Sequence, residues 1–454
     1  MPKVLIINSP LFRVKNPLYD EDSLPPIGLG YIATILQQRG IDVELIDAVF
    51  ENIPLYELVE IIKLKKPDFV ATNIFTTNYE LVKDMIESID IPSIKFIIGG
   101  LSTKTLCENI SKWKTENHID IVFGDGEFIT YDIVTNFVQE APFFSTYNRK
   151  AYKVDDNSIY FAKDISNIPL NRSFFKNEPI KHLFGFTEAN IVTSRGCIYN
   201  CAFCAAARSL NKEFSIREKT TESIIAELKE IKDMFPHVQS IRVLDDLFLK
   251  TKHTVEKSIE VFKHFDFSWR SMAHVMTFKG VSAETLSNLK KSGCSELFIG
   301  IESGSPDVLK RIHKTNDLAV IKENLTNCLK AGISIKGYFI YGFPEETEED
   351  FKKTFELASY LKKVSLQYGV GFRTSVFQFR PYHGTELYHD IEAKYGEVTN
   401  VTSIEPNKNL SELVGRLQFN FHSGNYSNAD IETVHKYIYE TTNLNSSDLF
   451  AVRK

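Results

Sequence analysis

The chain has 454 residues, too many for one ordinary core, so two or three domains are expected. With 43% hydrophobic and 25% charged residues and a net charge of -6, it has the composition of a globular protein, without the basic excess or Lys/Arg block that a polyanion partner leaves; nucleic acid is therefore unsupported as a partner. Six cysteines, three clustered and three scattered, form no disulfide framework and suit a reducing compartment, the start Met1-Pro2-Lys3-Val4-Leu5-Ile6-Ile7 lacks a long apolar leader, and no run approaches the roughly 18 apolar residues of a membrane span, so a cytoplasmic chain is expected.

From the N-terminus, Val4 to Asn8 reads as a strand, and Pro25 to Arg39 as a helix with Ile27, Tyr31, Ile32 and Ile35 on one face, closed by Gly40. Short apolar strands follow at Val43 to Ile46, Phe69 to Thr72, Phe96 to Ile98 and Ile121 to Phe123. Amphipathic stretches near 55 to 65, 78 to 88, 102 to 115 and 127 to 138 separate them. This alternation predicts a doubly wound, Rossmann-like parallel sheet over residues 1 to 140. Ligands of such sheets lie beyond the carboxyl ends of the strands, here Thr76 and Thr77, Gly99 and Gly100, and the turn Gly124-Asp125-Gly126-Glu127. On these residues alone, a generic flavodoxin-like domain with ordinary turn glycines is the better reading.

Residues 141 to 187 read as a linker of mixed polarity with Pro142, Pro169 and Pro179. One hairpin is expected in it, Ala151 to Val154 against Ser158 to Phe161, around Asp155-Asp156-Asn157.

A second alternating set occupies residues 188 to 388 and opens on Ile191-Val192-Thr193. Directly after it, Cys197, Cys201 and Cys204 fall within eight residues. Three thiolates on one turn can ligate three irons of a cubane cluster and leave the fourth open. Zinc is the rival reading, although neither Cys294 nor Cys328 sits in a ligand pair; three buried, inert thiols are the plain one. Further strands are expected at Ile241 to Leu244, Trp269 to Met272, Leu297 to Gly300, Gly337 to Ile340 and Val376 to Phe379, with helices near 220 to 234, 251 to 264, 282 to 292, 317 to 331 and 347 to 362. Six strands imply a partial (β/α)6 barrel of the TIM type, with its chemistry at the carboxyl ends of the strands. Asp245-Asp246 and Glu302 stand at such ends, either as pocket carboxylates or as helix caps.

Cys197, Cys201 and Cys204, with aromatic Phe203 before the last, resemble the cluster loop of the radical S-adenosylmethionine enzymes. The resemblance implies a [4Fe-4S] cluster on these cysteines. Its open iron would chelate S-adenosylmethionine, and one electron, from a donor such as flavodoxin or ferredoxin, would cleave the sulfonium to a 5'-deoxyadenosyl radical. Asp245-Asp246-Leu247-Phe248 matches the family's Asp-Asp-x-Phe pattern and implies a pocket role for Asp245. Gly300 to Ser305 resembles its ribose motif, with Glu302 and Ser303 in the binding positions. Gly337 to Gly342, including Ile340, resembles the strand whose backbone lies against adenine, and Tyr199 would stack on the same ring. Arg270 would meet the carboxylate of S-adenosylmethionine, or else form an ion pair with a neighbouring carboxylate. Arg380 to Tyr388 resembles the family's Pro-Gly-Thr exit from the sixth strand, with His383 where proline is commoner.

Next to this loop, Pro25-Pro26-Ile27-Gly28-Leu29-Gly30 and the three strand ends resemble the cobalamin-binding domain that precedes the cluster domain in one radical subclass. Thr76, Thr77, Gly99, Gly100, Gly124 and Glu127 would then line cobalamin. The Asp-x-His-x-x-Gly signature is absent, so no such histidine lies under the cobalt, and Leu101-Ser102 replaces the usual Pro-His after Gly100. The resemblance implies radical methylation of an unactivated carbon in a small molecule or peptide, with a second S-adenosylmethionine remethylating the cobalt. The alternatives are a non-methylating radical reaction (cyclisation, epimerisation, deoxygenation or decarboxylation) and a cobalamin or metal sensor, which would need neither Glu302 nor the Gly337 to Gly342 strand. Residues 389 to 454 are expected to be small, mostly helical and to cap the substrate, with a helix at Ala429 to Thr441 and lone histidines at His422 and His435.

Overall fold

Val4, Leu5, Ile6 and Ile7 are all fully buried, as strand residues are when helices cover both faces of a parallel sheet. They belong to the first of two units in a computed structural model that describes residues 1–9, 24–181, 186–396, 398 and 424–445. Unit one comprises Met1–Ile180 with Asn211–Arg217, and unit two Lys181–Leu210 with Glu218–Lys454.

The first unit carries strands β1 (Lys3–Asn8), β2 (Asp42–Asp47), β3 (Phe69–Asn73), β4 (Lys95–Gly99), β5 (Ile119–Gly124), β6 (Phe144–Ser145) and β7 (Arg149–Val154). They pair in the order β2-β1-β3-β4-β5-β7-β6. The first five are parallel, the helices Ile27–Gln38, Leu55–Lys65, Tyr79–Glu87 and Thr103–Ser111 connect them, and Ile129–Val134 follows β5. This is the doubly wound sheet expected, and its order reverses between β1 and β3, where ligands bind in such sheets. The expected hairpin does not form. Arg149–Val154 pairs parallel with β5 and antiparallel with the short β6, and Ser158 to Phe161 is not a strand. The turn at Asp155 to Asn157 is present, closed by Asn157 N donating to Asp155 Oδ1 at 3.0 Å, but Asp156 is fixed instead by Ser215, whose N–H donates to it at 2.6 Å. Much of the stretch read as linker therefore belongs to the first unit.

In the second unit six strands of one sheet follow each other in chain order, all parallel: Thr187–Ile191, Ser240–Val243, Ser268–His274, Cys294–Glu302, Ser334–Tyr341 and Phe372–Gln378. They are the six strands of the expected half barrel, numbered first to sixth below. The intervening helices start where side-chain caps permit. Thr220, Thr251, Ser282, Asp317 and Thr347 each accept a backbone N–H three residues on, and Thr251 and Thr347 close reciprocal capping boxes. The C-terminal helix Ile431–Asn443 buries Val434 and Ile438, and Thr441 Oγ1 lies 2.7 Å from Tyr341 Oη of the fifth strand. His435 lies on this helix, and His422 lies outside the described residues. Among the described residues no helix is long and apolar enough to cross a membrane.

Candidate active site

The three clustered cysteines follow the first barrel strand on a loop of tight turns. Cys204 N donates to Cys201 O at 3.1 Å, and Ala207 N to Cys204 O at 3.1 Å. Ala202 fixes the loop on both sides, donating to Ile312 O and accepting from Leu387 N, each at 3.1 Å. All three thiols are free and half-buried. Burial raises the pKa of each, that of Cys204 to about 12, so a nearby cationic metal is what would hold them as thiolates. Among the described residues no three His, Cys, Asp or Glu side chains are grouped to hold a single ion. A tetrahedral zinc site asks for four ligands on one metal, whereas cubane thiolates each take their own iron.

A buried polar network underlies the loop. Asp245, at the end of the second strand, accepts from Thr193 N and Thr193 Oγ1, both at 2.6 Å, and from Ser194 Oγ at 2.7 Å. Lys250, also buried, donates to Ser194 Oγ at 2.8 Å and to Glu218 at 2.9 Å. Asp245 thus anchors the residues from which the cysteine loop springs, and its exposed neighbour Asp246 accepts from Gly196 N at 3.3 Å. Arg270 takes the ion-pair alternative. Its Nε donates to Glu188 Oε1 at 2.7 Å, and Nη1 lies 3.5 Å from Glu296. Arg270 and Glu188 both sit in the amino-terminal half of their strands, away from the barrel mouth.

At the mouth the fourth strand bulges between Gly300 and Glu302, and Glu302 takes a left-handed φ of 65°. Bulges of this kind re-aim a side chain beside a site. Buried Glu302 meets Lys314, whose Nζ lies 3.0 Å from Oε1 and donates to Gly300 O at 2.8 Å. Burial alone would lower the lysine pKa, but Glu302 and then Cys201 outweigh it and raise it. Ser303 faces the other way, its hydroxyl 3.0 Å from Thr354 Oγ1, and helps tie the strand end to the helix Glu348–Tyr368. Tyr199 stacks on His274 at the end of the third strand, with ring centroids 3.7 Å apart. Lys314 and His274 were not singled out in the sequence. Lys314 lies in a loop without a readable pattern, whereas His274 occupies the carboxyl end of a strand two residues longer than its apolar run.

On the fifth strand, Gly337 is packed inside the sheet, where a Cβ would stand 3.0 Å from Ile301 and Phe339 atoms. Ile340 is half-buried, and Gly342 has a left-handed φ of 90°. Its N–H and that of Phe343 donate to Glu346 Oε2 at 2.8 and 3.0 Å. Phe203 of the cysteine loop packs on Phe343, with centroids 5.5 Å apart. The cysteine loop and the exits of strands two to five thus converge on one mouth.

In the first unit the predicted residues all lie at the carboxyl edge of the sheet. Thr76 and Glu127 are buried and Thr77 half-buried. Gly100 and Gly124 are glycines for an internal reason. A Cβ on Gly100 would stand 2.8 Å from Ile74 O, and one on Gly124 would collide with Val154 O. Gly99 has room, its nearest such contact being Val122 O at 4.0 Å, and Gly28 has none within 4 Å. Beside them Asn73 Oδ1 is buried without a partner among the described residues.

The radical SAM superfamily model matches residues 191–358, and the B12-binding domain model matches residues 20–133. The chain carries a radical SAM domain and a B12-binding domain. The enzyme is 26% identical over 380 residues to an uncharacterised methyltransferase of Pyrococcus horikoshii, covering 80% of this chain and 78% of that one. It superposes on the cobalamin-dependent S-adenosylmethionine radical enzyme OxsB with a TM-score of 0.63 at 14% identity, over 94% of this chain but 65% of that one, just under two thirds of its length. The radical S-adenosylmethionine methyltransferase TsrM from Kitasatospora setae gives a TM-score of 0.63 at 16% identity, over 89% of this chain and 80% of that one.

The enzyme's cofactors are accordingly a [4Fe-4S] cluster, S-adenosylmethionine and cobalamin. The residues present fit them. Three thiols share one loop, a cation and a carboxylate face each other at the mouth, and His274 Nε2 is a buried polar atom without a partner among the described residues. At the sheet edge Gly99 leaves space and Asn73 offers an oxygen.

Proposed function

We propose that Cys197, Cys201 and Cys204 each ligate one iron, and that the enzyme methylates an unactivated carbon of a small-molecule or peptide substrate. In this reading, S-adenosylmethionine occupies the mouth between the cysteine loop and Glu302, and Lys314 offers its carboxylate the cation that Arg270, paired with Glu188, does not. When bound, these groups supply a radical able to take a hydrogen atom and a cobalt able to carry a methyl group. The chain's own part is to hold and orient. Asp245 and Lys250 fix the base of the cysteine loop, and Glu346 fixes the turn at Gly342 and Phe343. The observation that carries the reading is the joining, in one chain, of a cysteine-loop half barrel to a B12-binding domain, a combination whose relatives include proteins named methyltransferases. An electron donor of the flavodoxin or ferredoxin class would supply the single electron.

The test needs no substrate. The holoenzyme, with its cobalamin reduced to cob(I)alamin, is mixed anaerobically with methyl-labelled S-adenosylmethionine. Label should appear in enzyme-bound methylcobalamin, with S-adenosylhomocysteine in equal amount. If no label transfers, yet dithionite still yields 5'-deoxyadenosine, methyl transfer fails and a non-methylating radical reaction takes its place.

A further inference from the structure

His274 closes the third barrel strand and is only 6% exposed. Its ring lies on that of Tyr199 with 17° between the planes. Nδ1 accepts from Met276 N at 3.2 Å, so the neutral ring carries its proton on Nε2. That nitrogen is buried and has no hydrogen-bond partner among the described residues. Burial, with Lys314 adding to it, lowers the pKa to about 2, so the ring stays neutral and Nδ1 stays free to accept from Met276 N. Buried donors are nearly always satisfied, and an unmet one calls for a reason. The surroundings supply it. His274 pairs with Gly300 across the strands, Gly300 O is held by Lys314, and Tyr199 lies between Cys197 and Cys201 in the chain.

We propose that His274 is a cofactor-binding residue, whose Nε2–H donates to a lone-pair acceptor that enters this mouth with the cofactors. The acceptor is either an oxygen of S-adenosylmethionine or an inorganic sulfide of the cluster. The competing account gives the ring no task beyond propping Tyr199, and any flat ring would serve that purpose. A donor is needed only if something accepts. This inference rests on the cluster and S-adenosylmethionine occupying the mouth, which the parent enzyme's own iron content and S-adenosylmethionine binding test separately.

His274→Phe keeps a ring under Tyr199 and removes the donor; His274→Gln removes the ring and keeps a donor. Both are reconstituted anaerobically in the full chain, and iron and sulfide are counted. The dissociation constant for S-adenosylmethionine is measured by equilibrium dialysis, and the cluster midpoint by redox titration without S-adenosylmethionine. If the acceptor is on S-adenosylmethionine, His274→Phe should weaken binding about tenfold with the midpoint unmoved, and His274→Gln should restore most of the loss. If the acceptor is a sulfide, the midpoint should move to more negative potential while binding is kept, because hydrogen bonds to cluster sulfurs tune the potential. A His274→Phe enzyme that loads four irons and matches the parent in both measurements overturns the proposal. Should that variant not hold the cluster, His274→Leu is put through the same two measurements. Cluster loss in both donor-less variants, with His274→Gln loaded, assigns the donor to the cluster; loss in all three overturns the proposal in favour of a packing role.

Discussion

Lys314 Nζ lies 3.0 Å from Glu302 Oε1, and both side chains are buried at the barrel mouth. Removing one member of such a pair strands the other charge in a poor solvent. Lys314→Met should therefore destabilise the cofactor-free protein by about 3 to 5 kcal/mol. Glu302→Gln should cost less, since the ammonium keeps Gly300 O, and the double variant should recover much of the Lys314→Met loss. Urea unfolding of the four proteins gives the coupling directly, and a value near zero would show that the pair does not hold the mouth together.

Glu346 gives a pH-dependent signature. Burial pushes its carboxyl up to about 8, and Oε1 has no partner among the described residues while Oε2 accepts two backbone N–H groups. A buried acid whose folded pKa is raised binds its proton more tightly in the native state. Its contribution is full below the unfolded glutamate value of about 4.3 and is lost as pH rises toward 8. Stability should thus fall across that window by an amount on the order of a few kcal/mol, and Glu346→Gln should flatten the profile. Parallel urea titrations at pH 5, 6.5 and 8 are the measurement, and equal slopes in parent and variant would remove Glu346 as the cause.

Asp245 and Arg270, candidates for the S-adenosylmethionine pocket by resemblance, each make other bonds in the structure, Asp245 beneath the cysteine loop and Arg270 to Glu188. Asp245→Ala leaves Thr193 N and two hydroxyls without their acceptor beneath the cysteine loop. It should cost about 1 to 3 kcal/mol and lower the iron retained after reconstitution. Arg270→Leu strands Glu188 and should destabilise by about 3 to 5 kcal/mol, leaving the affinity for S-adenosylmethionine at its parent value once the variant is folded. Calorimetric unfolding and iron analysis distinguish the two. A variant at Asp245 with a full cluster but weakened S-adenosylmethionine binding would return that residue to the pocket.

These assignments show what was readable and what was not. Both sheets were legible because their strands are short runs alternating with amphipathic helices, and in the second unit those helices start at Ser, Thr or Asp caps, a pattern local in the chain. The cysteine loop and Glu302 stood out because clustered thiols and a carboxylate directly after a strand are local features, while the roles given to them came from the family resemblance. Depth along a strand was not. Arg270 sits on a strand as read, but only its register against Glu296 and its bond to Glu188 place it below the mouth. His274 was missed because the run Trp269 to Met272 ends two residues before the strand does. The hairpin failed for the same reason in another form: Ala151 to Val154 found a parallel partner in β5, far away in sequence.

The cobalamin site needs a probe that the fold tolerates. Gly100→Val, the obvious choice at the edge of β4, is unsuitable, because a Cβ there meets the Ile74 backbone at 2.8 and 2.9 Å and the glycine has a φ of 110°. Loss of cobalamin in that variant would report a damaged sheet. Gly124 is excluded likewise by Val154 O. Gly99 ends β4 with a negative φ and nothing nearer to a Cβ than Val122 O at 4.0 Å. Gly99→Ala should thus leave cofactor-free stability within about 1 kcal/mol of the parent, and if a ligand backs onto that strand end it should weaken binding of hydroxocobalamin. The visible spectrum after gel filtration with hydroxocobalamin gives the occupancy, and urea unfolding without it gives the control. Unchanged occupancy in a stable Gly99→Ala protein would move the cobalamin contact away from this strand end.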